Sequence, residues 1–281
     1  MTWSGSPVRW TTLLLTRCRP PRAFLVALLT SCVFAAIGLT PGTAAAAQSY
    51  AALGDSYSSG VGTRTYYAGS GACQRSPLGY PPQVATRLGY SLTFAACAGA
   101  RIPDVTSGQL GALSGSTNFV TISIGGNDAG FIHVITQCAK PWPFTCWGDI
   151  DSAQNYIRQR LPASLDGLYS QIRSRAPRAT VVVVGYPRIF NGRDTCNAAS
   201  RISPDEQRRL NDTADLLASV TRARAQAHGF RFVDAIPSFI GHAVCDNPAW
   251  INGLSNPASE SYHPNASGYG QYTNLVSAVL R

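Results

Sequence analysis

The chain is 281 residues long, 45% of them hydrophobic, and carries 23 lysines and arginines against 14 acids, a formal charge of +9. Lys140 is the only lysine. No arginine-rich run of the kind that tracks nucleic acid is present, so the positive balance favours anionic surfaces such as phospholipid at most, and otherwise a solvated exterior.

The first 47 residues read as a secretory signal peptide. Arg9, Arg17, Arg19 and Arg22 form a basic region free of acids, Ala23 to Leu39 an apolar core, and Thr40 to Ala47 ends in small residues of the Ala-x-Ala kind. The apolar run of 17 residues is short against the ~20 that span hydrocarbon. Leu29-Thr-Ser-Cys32 has the look of a lipoprotein box, but the apolar run continues past Cys32, which argues for cleavage after Ala47 and release. The remaining residues 48–281 suit one well-cored domain. Their formal charge is +5, because four arginines and no acids leave with the leader.

Tyr50 to Leu53 is a short apolar run of the kind that makes a buried strand, and it breaks at Gly54-Asp55-Ser56 into a Gly- and Ser-rich turn or helix start. Residues 63–82 read as loop, Tyr80 to Leu88 as a helix with proline in its first turn, and Ser91 to Ala96 as a second strand. Asn118 to Ile124 is a third strand, rich in β-branched residues, and it stops at Gly125-Gly-Asn-Asp128, where Asp128 is a plausible N-cap for a helix through Ile135. Ile150 to Arg175 has helical spacing, with Pro162 marking a kink or break. Thr180 to Gly185 is the clearest buried strand, a continuous run that fits a parallel sheet covered on both faces. Ser203-Pro-Asp-Glu206 is a capping box opening a helix to about His228. Arg231 to Asp234 is a fifth short strand, residues 235–262 a long loop, and Asn265 to Leu280 a terminal helix. Strands alternating with helices argue for a three-layer α/β domain.

Six cysteines follow the leader, an even number that implies disulfides in an exported chain. None forms a Cys-x-x-Cys pair, so no zinc site is expected. Cys138 and Cys146 bracket Pro141 and Pro143 as a local staple would, and pairing in sequence order is the simplest scheme.

Ser56 follows the strand read over Tyr50 to Leu53, at the end where open α/β sheets place their ligands. A serine needs a base to take its proton. His133 and His228 lie in or at the end of helices and read as structural, His242 sits in a loop beside Gly241 as a second candidate, and His263 is presented by a rigid turn before Pro264-Asn265. Glu260, three residues earlier, could hold its tautomer. Donors for an oxyanion are offered by the Ser56 N–H, the Gly99 N–H and the Asn127 amide, each at the end of a strand. Gly99 and Asn127 could equally be a turn residue and a cap.

Together these segments resemble the SGNH hydrolases, also called GDSL lipases and esterases. Gly54-Asp-Ser-Tyr-Ser-Ser-Gly60 is similar to the family's first block, Ala98-Gly-Ala100 to its second, Gly125-Gly-Asn-Asp128 to its third and Ser261-Tyr-His-Pro-Asn265 to its fifth. The resemblance implies Ser56 as nucleophile, His263 as base, and Ser56, Gly99 and Asn127 as the oxyanion hole. It implies a flavodoxin-like α/β/α fold with a central parallel sheet of about five strands. The likeness to secreted actinobacterial lipases, esterases and phospholipases with three disulfides implies the pairs Cys73–Cys97, Cys138–Cys146 and Cys196–Cys245. Two departures stand out. Tyr57 replaces the usual leucine after the nucleophile, a common variant in this branch that leaves Ser56 as the nucleophile, and the family's Asp-x-x-His reads Glu260-Ser-Tyr-His263. The acid is then Glu260, or the Ser261 backbone carbonyl orients His263 as in some members of this branch; the carbonyl is preferred.

The expected function is hydrolysis of carboxylic esters through a Ser56 acyl-enzyme, with no metal or organic cofactor. The substrate is a lipid or small ester, met by a secreted monomer in transient contact with a lipid surface. A polysaccharide deacetylase is the alternative within the class, and a non-catalytic binding protein on the same scaffold the alternative outside it. Tyr66, Tyr67, Phe131, Trp142, Phe144, Trp147 and Trp250 are candidates to line an acyl groove or merely to pack. His263 must be neutral to act, so activity should decline below a pH of about 6.5 unless its surroundings shift it.

Overall fold

The computed structural model describes residue 2 and residues 46–281, apart from 142, 197, 198 and 200. The leader read over residues 1–47, Cys32 included, therefore lies outside the described residues but for 2, 46 and 47. Among the described residues, no helix is long and apolar enough to cross a membrane.

Five strands, β1 (Ser49–Gly54), β2 (Ser91–Phe94), β3 (Phe119–Ser123), β4 (Thr180–Val184) and β5 (Arg231–Val233), form one sheet in the order β2-β1-β3-β4-β5. Every pairing is parallel, and Phe94, Ala52, Thr121, Val182 and Arg231 stand side by side in one row. Successive side chains point to opposite faces, so the apolar runs supply two cores. Tyr50, Ala52, Val182 and Val184 face one core, and Ala51, Leu53, Val120, Ile122, Val181 and Val183 face the other. Such two-sided burial is what makes continuous rather than alternating apolar strands.

The first core is closed by α2 (Tyr80–Leu88) and α9 (Ala266–Leu280), through Tyr80, Val84, Tyr269, Tyr272 and Val276. The second is closed mainly by α6 (Leu161–Arg175), through Leu161, Leu165, Leu168 and Ile172, with Leu217 and Ala225 of α7 (Pro204–Ala227). The helical stretch before β4 is broken rather than kinked. It forms α5 (Trp147–Gln159) and α6, with Pro162 in the first turn of α6, where a missing N–H costs nothing. Ser203 caps α7 through its box with Glu206, and Asn265 caps α9 by accepting from Ser267 N–H and Gly268 N–H.

Two expectations need correction. Asp128 does not cap α4 (Phe131–Cys138), whose N-cap is Gly130. Its carboxylate instead accepts the Ile102 N–H at 3.1 Å, at the start of α3 (Ile102–Ser107), a helix the pattern did not signal. The loop over 235–262 contains α8 (Ile236–Phe239) and a 3₁₀ turn, Ala258–Glu260. The disulfides pair in sequence order, as the resemblance implies: Cys73–Cys97, Cys138–Cys146 and Cys196–Cys245.

Candidate active site

β1 ends at Gly54 with φ +120°, and a Cβ there would lie 2.3 Å from the Ser123 carbonyl oxygen. Only glycine permits this close strand-to-helix turn. The Gln109 side chain clamps the same residue from both sides, accepting Gly54 N–H at 2.7 Å and donating to Gly54 C=O at 2.8 Å. Asp55 then caps the single turn α1 (Ser56–Ser59) by accepting the Tyr57 N–H at 3.0 Å. Ser56 thus begins a helix, and its own N–H has no acceptor among the described residues, as expected of a first-turn donor.

The Ser56 Oγ lies 2.8 Å from His263 Nε2, and His263 Nδ1 lies 2.9 Å from the Ser261 carbonyl oxygen. A carbonyl can only accept, so Nδ1 carries the proton and Nε2 is bare, ready to receive the serine hydroxyl. Burial pulls the imidazole pKa down to about 4, against the opposite pull of the Ser261 carbonyl. The ring is therefore neutral at pH 7. Glu260 does not reach it. Its carboxylate is buried and accepts the Tyr66 hydroxyl instead, so the group facing Nδ1 is a peptide oxygen.

Gly99, at φ +75°, sits in the turn after β2, tied down by the Cys73–Cys97 bridge and by the 3.0 Å bond from Cys97 N–H to Gly54 C=O. Its N–H has no acceptor among the described residues. Asn127 follows β3 and donates one amide hydrogen to the Ala100 carbonyl at 3.0 Å, and the second has no acceptor among the described residues. Ser56, Gly99 and Asn127 thus come from the ends of three neighbouring strands, with β1 and β3 at the point where strand order reverses. Open parallel sheets bind ligands at that crevice.

The remaining histidines have other partners. His133 meets Asp149 at 2.8 Å, His228 meets Asp166 at 3.0 Å, and His242 stacks on Trp250 with ring centroids 3.5 Å apart.

An apolar cleft, with about 780 Å³ of empty space counted to its open mouth, runs from Ser56 between α4, α5 and α7. Of the seven aromatics considered for a groove, Phe131 alone is among its described lining residues. Tyr66 bonds Glu260, Tyr67 and Phe144 are exposed, Trp147 carries the Arg209 guanidinium on its ring, Trp250 packs on Phe239, and Trp142 lies outside the described residues. The lining is mostly aliphatic.

Two groups at the site escaped the sequence reading. Asp55 is buried beneath the nucleophile and accepts the Tyr186 hydroxyl at 2.6 Å. Burial pushes its pKa up to about 7, against the lowering effect of that bond and of the Tyr57 N–H. Tyr186 stands just past β4, at the same sheet rim as the other groups, and that position was its available signal. Tyr57 donates its hydroxyl to the Tyr262 carbonyl at 2.8 Å.

The model of the GDSL-like Lipase/Acylhydrolase family matches residues 52–271. The chain is 44% identical to Lipase 1 of Streptomyces coelicolor over 265 residues, covering 91% of this chain and 98% of that one. Among solved structures, the extracellular lipase of Streptomyces rimosus superposes with a TM-score of 0.79 at 42% identity, covering 83% of this chain and 99% of the other. Phospholipase A1 of Streptomyces albidoflavus gives 0.77 at 41%, with the same coverage. With a parallel sheet in flavodoxin-like order, a serine and histidine in hydrogen-bond contact at its rim and these likenesses over most of its length, the chain is an ester-hydrolysing enzyme that belongs to the GDSL-like lipase/acylhydrolase family.

Proposed function

We propose that this chain cleaves fatty-acyl esters, glycerophospholipids included, through an acyl-enzyme on Ser56 with His263 as general base. The observation that carries the reading is the 2.8 Å contact between Ser56 Oγ and a bare His263 Nε2 at the head of an aliphatic cleft. In the first half-reaction Oγ attacks the ester carbonyl while Nε2 takes its proton, and the oxyanion that forms meets the Ser56 N–H, the Gly99 N–H and the free hydrogen of the Asn127 amide. Nε2 then passes the proton to the departing alcohol. In the second half-reaction the same nitrogen activates water against the acyl-enzyme. The Ser261 carbonyl keeps the ring in the required tautomer throughout.

The acyl chain lies along Phe131, Val134 and Ile135 of α4, Ile157 of α5, and Leu210 and Leu217 of α7. Each methylene placed there contributes about 0.8 kcal/mol, which favours a lipid over an acetylated polysaccharide. The leader-like residues 1–47 and the three disulfides support export, and Ile132, exposed beside the cleft residue Phe131, supports brief contact with a lipid surface. The molecule acts as a monomer in this reading, with all proposed catalytic groups drawn from one chain.

The test is a chain-length series of 4-nitrophenyl esters from acetate to palmitate, with one phosphatidylcholine, alongside labelling by a fluorophosphonate. Activity rising beyond butyrate, with labelling lost in Ser56→Ala, supports the proposal. Strict preference for acetate would move the assignment to a deacetylase. An unlabelled wild-type protein would leave a binding scaffold.

A further inference from the structure

Tyr57 is the residue by which this chain departs from the leucine of the family pattern, and its ring sits between two parts of the site. It packs edge-on against Tyr186, with centroids 5.0 Å apart at 84°, and tilted against the His263 imidazole at 5.3 Å. A leucine could fill much of that space. It could not supply the buried hydroxyl that donates to the Tyr262 carbonyl at 2.8 Å.

The acceptor is unusual. Tyr262 has φ +61°, in the left-handed region that bulky side chains avoid. Such a conformation persists only where the surroundings over-determine it. Here the Tyr262 N–H donates to the Asn252 carbonyl at 3.0 Å and the Asn252 N–H to the His263 carbonyl at 2.8 Å. Tyr57 adds the third tie, on the carbonyl between Tyr262 and His263. The Ser261 carbonyl, on the other side of the same residue, is the group that holds His263 Nδ1. The hydrogen bond that orients the base therefore comes from the backbone, and a rotation of this turn would carry its oxygen with it. The residue next to the nucleophile fixes the residue next to the base.

We propose that Tyr57 is a positioning residue for the Ser56–His263 pair, its hydroxyl locking the left-handed turn that offers the imidazole to the serine. The proposal rests on the acyl-enzyme reading above. Removing the hydroxyl leaves a buried carbonyl without its donor and lets the turn relax or admit water, lengthening the proton-transfer contact while leaving the cleft unchanged.

The experiment compares wild type, Tyr57→Phe and Tyr57→Leu, first by thermal melting and then by kinetics on 4-nitrophenyl butyrate. Tyr57→Phe should lower kcat about tenfold or more with KM within about twofold, since misplacement of reacting groups costs rate rather than binding. Fluorophosphonate labelling of Ser56 should slow by a similar factor. The acid limb of kcat/KM should move up by about half a pH unit or more as water reaches the imidazole. Tyr57→Leu, which also removes a ring lining the cleft, should lower kcat further and raise KM as well.

A Tyr57→Phe enzyme with kcat within about twofold of wild type and an unmoved acid limb overturns the proposal. So does failure of both variants to fold, which would assign the hydroxyl to the fold itself. If wild type is not labelled at all, it is the acyl-enzyme reading that has failed, and the two failures are distinguishable.

Discussion

Asn127 has two amide hydrogens, and the Ala100 carbonyl takes one of them, which fixes the direction of the other. Asn127→Ala should lower kcat about 100- to 1000-fold, some 3 kcal/mol in the barrier, with little change in KM, because the bond is made only as negative charge develops; steady-state kinetics on a soluble ester checks this. His263 and Asp55 make opposite statements about pH. With its pKa near 4, the imidazole remains a base well below pH 6.5, so the acid limb of kcat/KM should lie between about pH 4 and 5, as a pH–rate profile would show. The starting expectation of a decline near 6.5 is thereby moved by burial. For stability, His263 is neutral when folded and charged when unfolded between about 4 and 6.5, so its contribution is lost on acidification across that window. Asp55, protonated in the fold up to about 7, loses its contribution as pH rises from 3.8. The two slopes oppose each other. Asp55→Asn should therefore be more stable than wild type at pH 7 and lose melting temperature more steeply as pH falls from 6.5 to 4, measured by calorimetry.

At the scale of elements, the cleft is made by helices, and that explains what the sequence could and could not tell. The five strands were legible because runs such as Val181 to Val184 are buried on both faces. The blocks carrying Ser56, Gly99, Asn127 and His263 were legible because each needs particular residues at a strand end or turn. The acyl surface was not, since α4, α5 and α7 meet only in three dimensions, and an aliphatic helix face bound for a cleft looks the same as one bound for a core. Loop aromatics are conspicuous in the sequence, yet it is Val134, Ile157 and Leu217 that line the cleft. The helix α8 was hidden by its length, four residues offering no period to read. Asp128 misled because Gly-Gly-Asn-Asp permits several turns, and its carboxylate found the start of α3 rather than that of α4. On α7, Ala214 borders the cleft with only a methyl group. Ala214→Phe should fill that space and lower kcat/KM on a dodecanoate ester about tenfold or more relative to butyrate, the loss expected when several methylenes are displaced; competing the two esters measures it.

For the whole molecule, the sheet order brings the ends of β1 and β3 together at the reversal point, and the Cys73–Cys97 bridge fastens the neighbouring turn to that rim. The bridge closes a sequence separation of 24 residues, so replacing both cysteines by serine should cost about 2–4 kcal/mol in urea unfolding. Because the same turn presents the Gly99 N–H, kcat at a temperature where the variant is fully folded should fall as well, which a purely structural staple would not cause. At the dyad itself, a peptide oxygen stands where many serine hydrolases carry a carboxylate, and the resting pair has no net charge. A phosphate-bearing ester therefore meets no electrostatic barrier from it, and sodium chloride should scarcely alter turnover of an uncharged substrate.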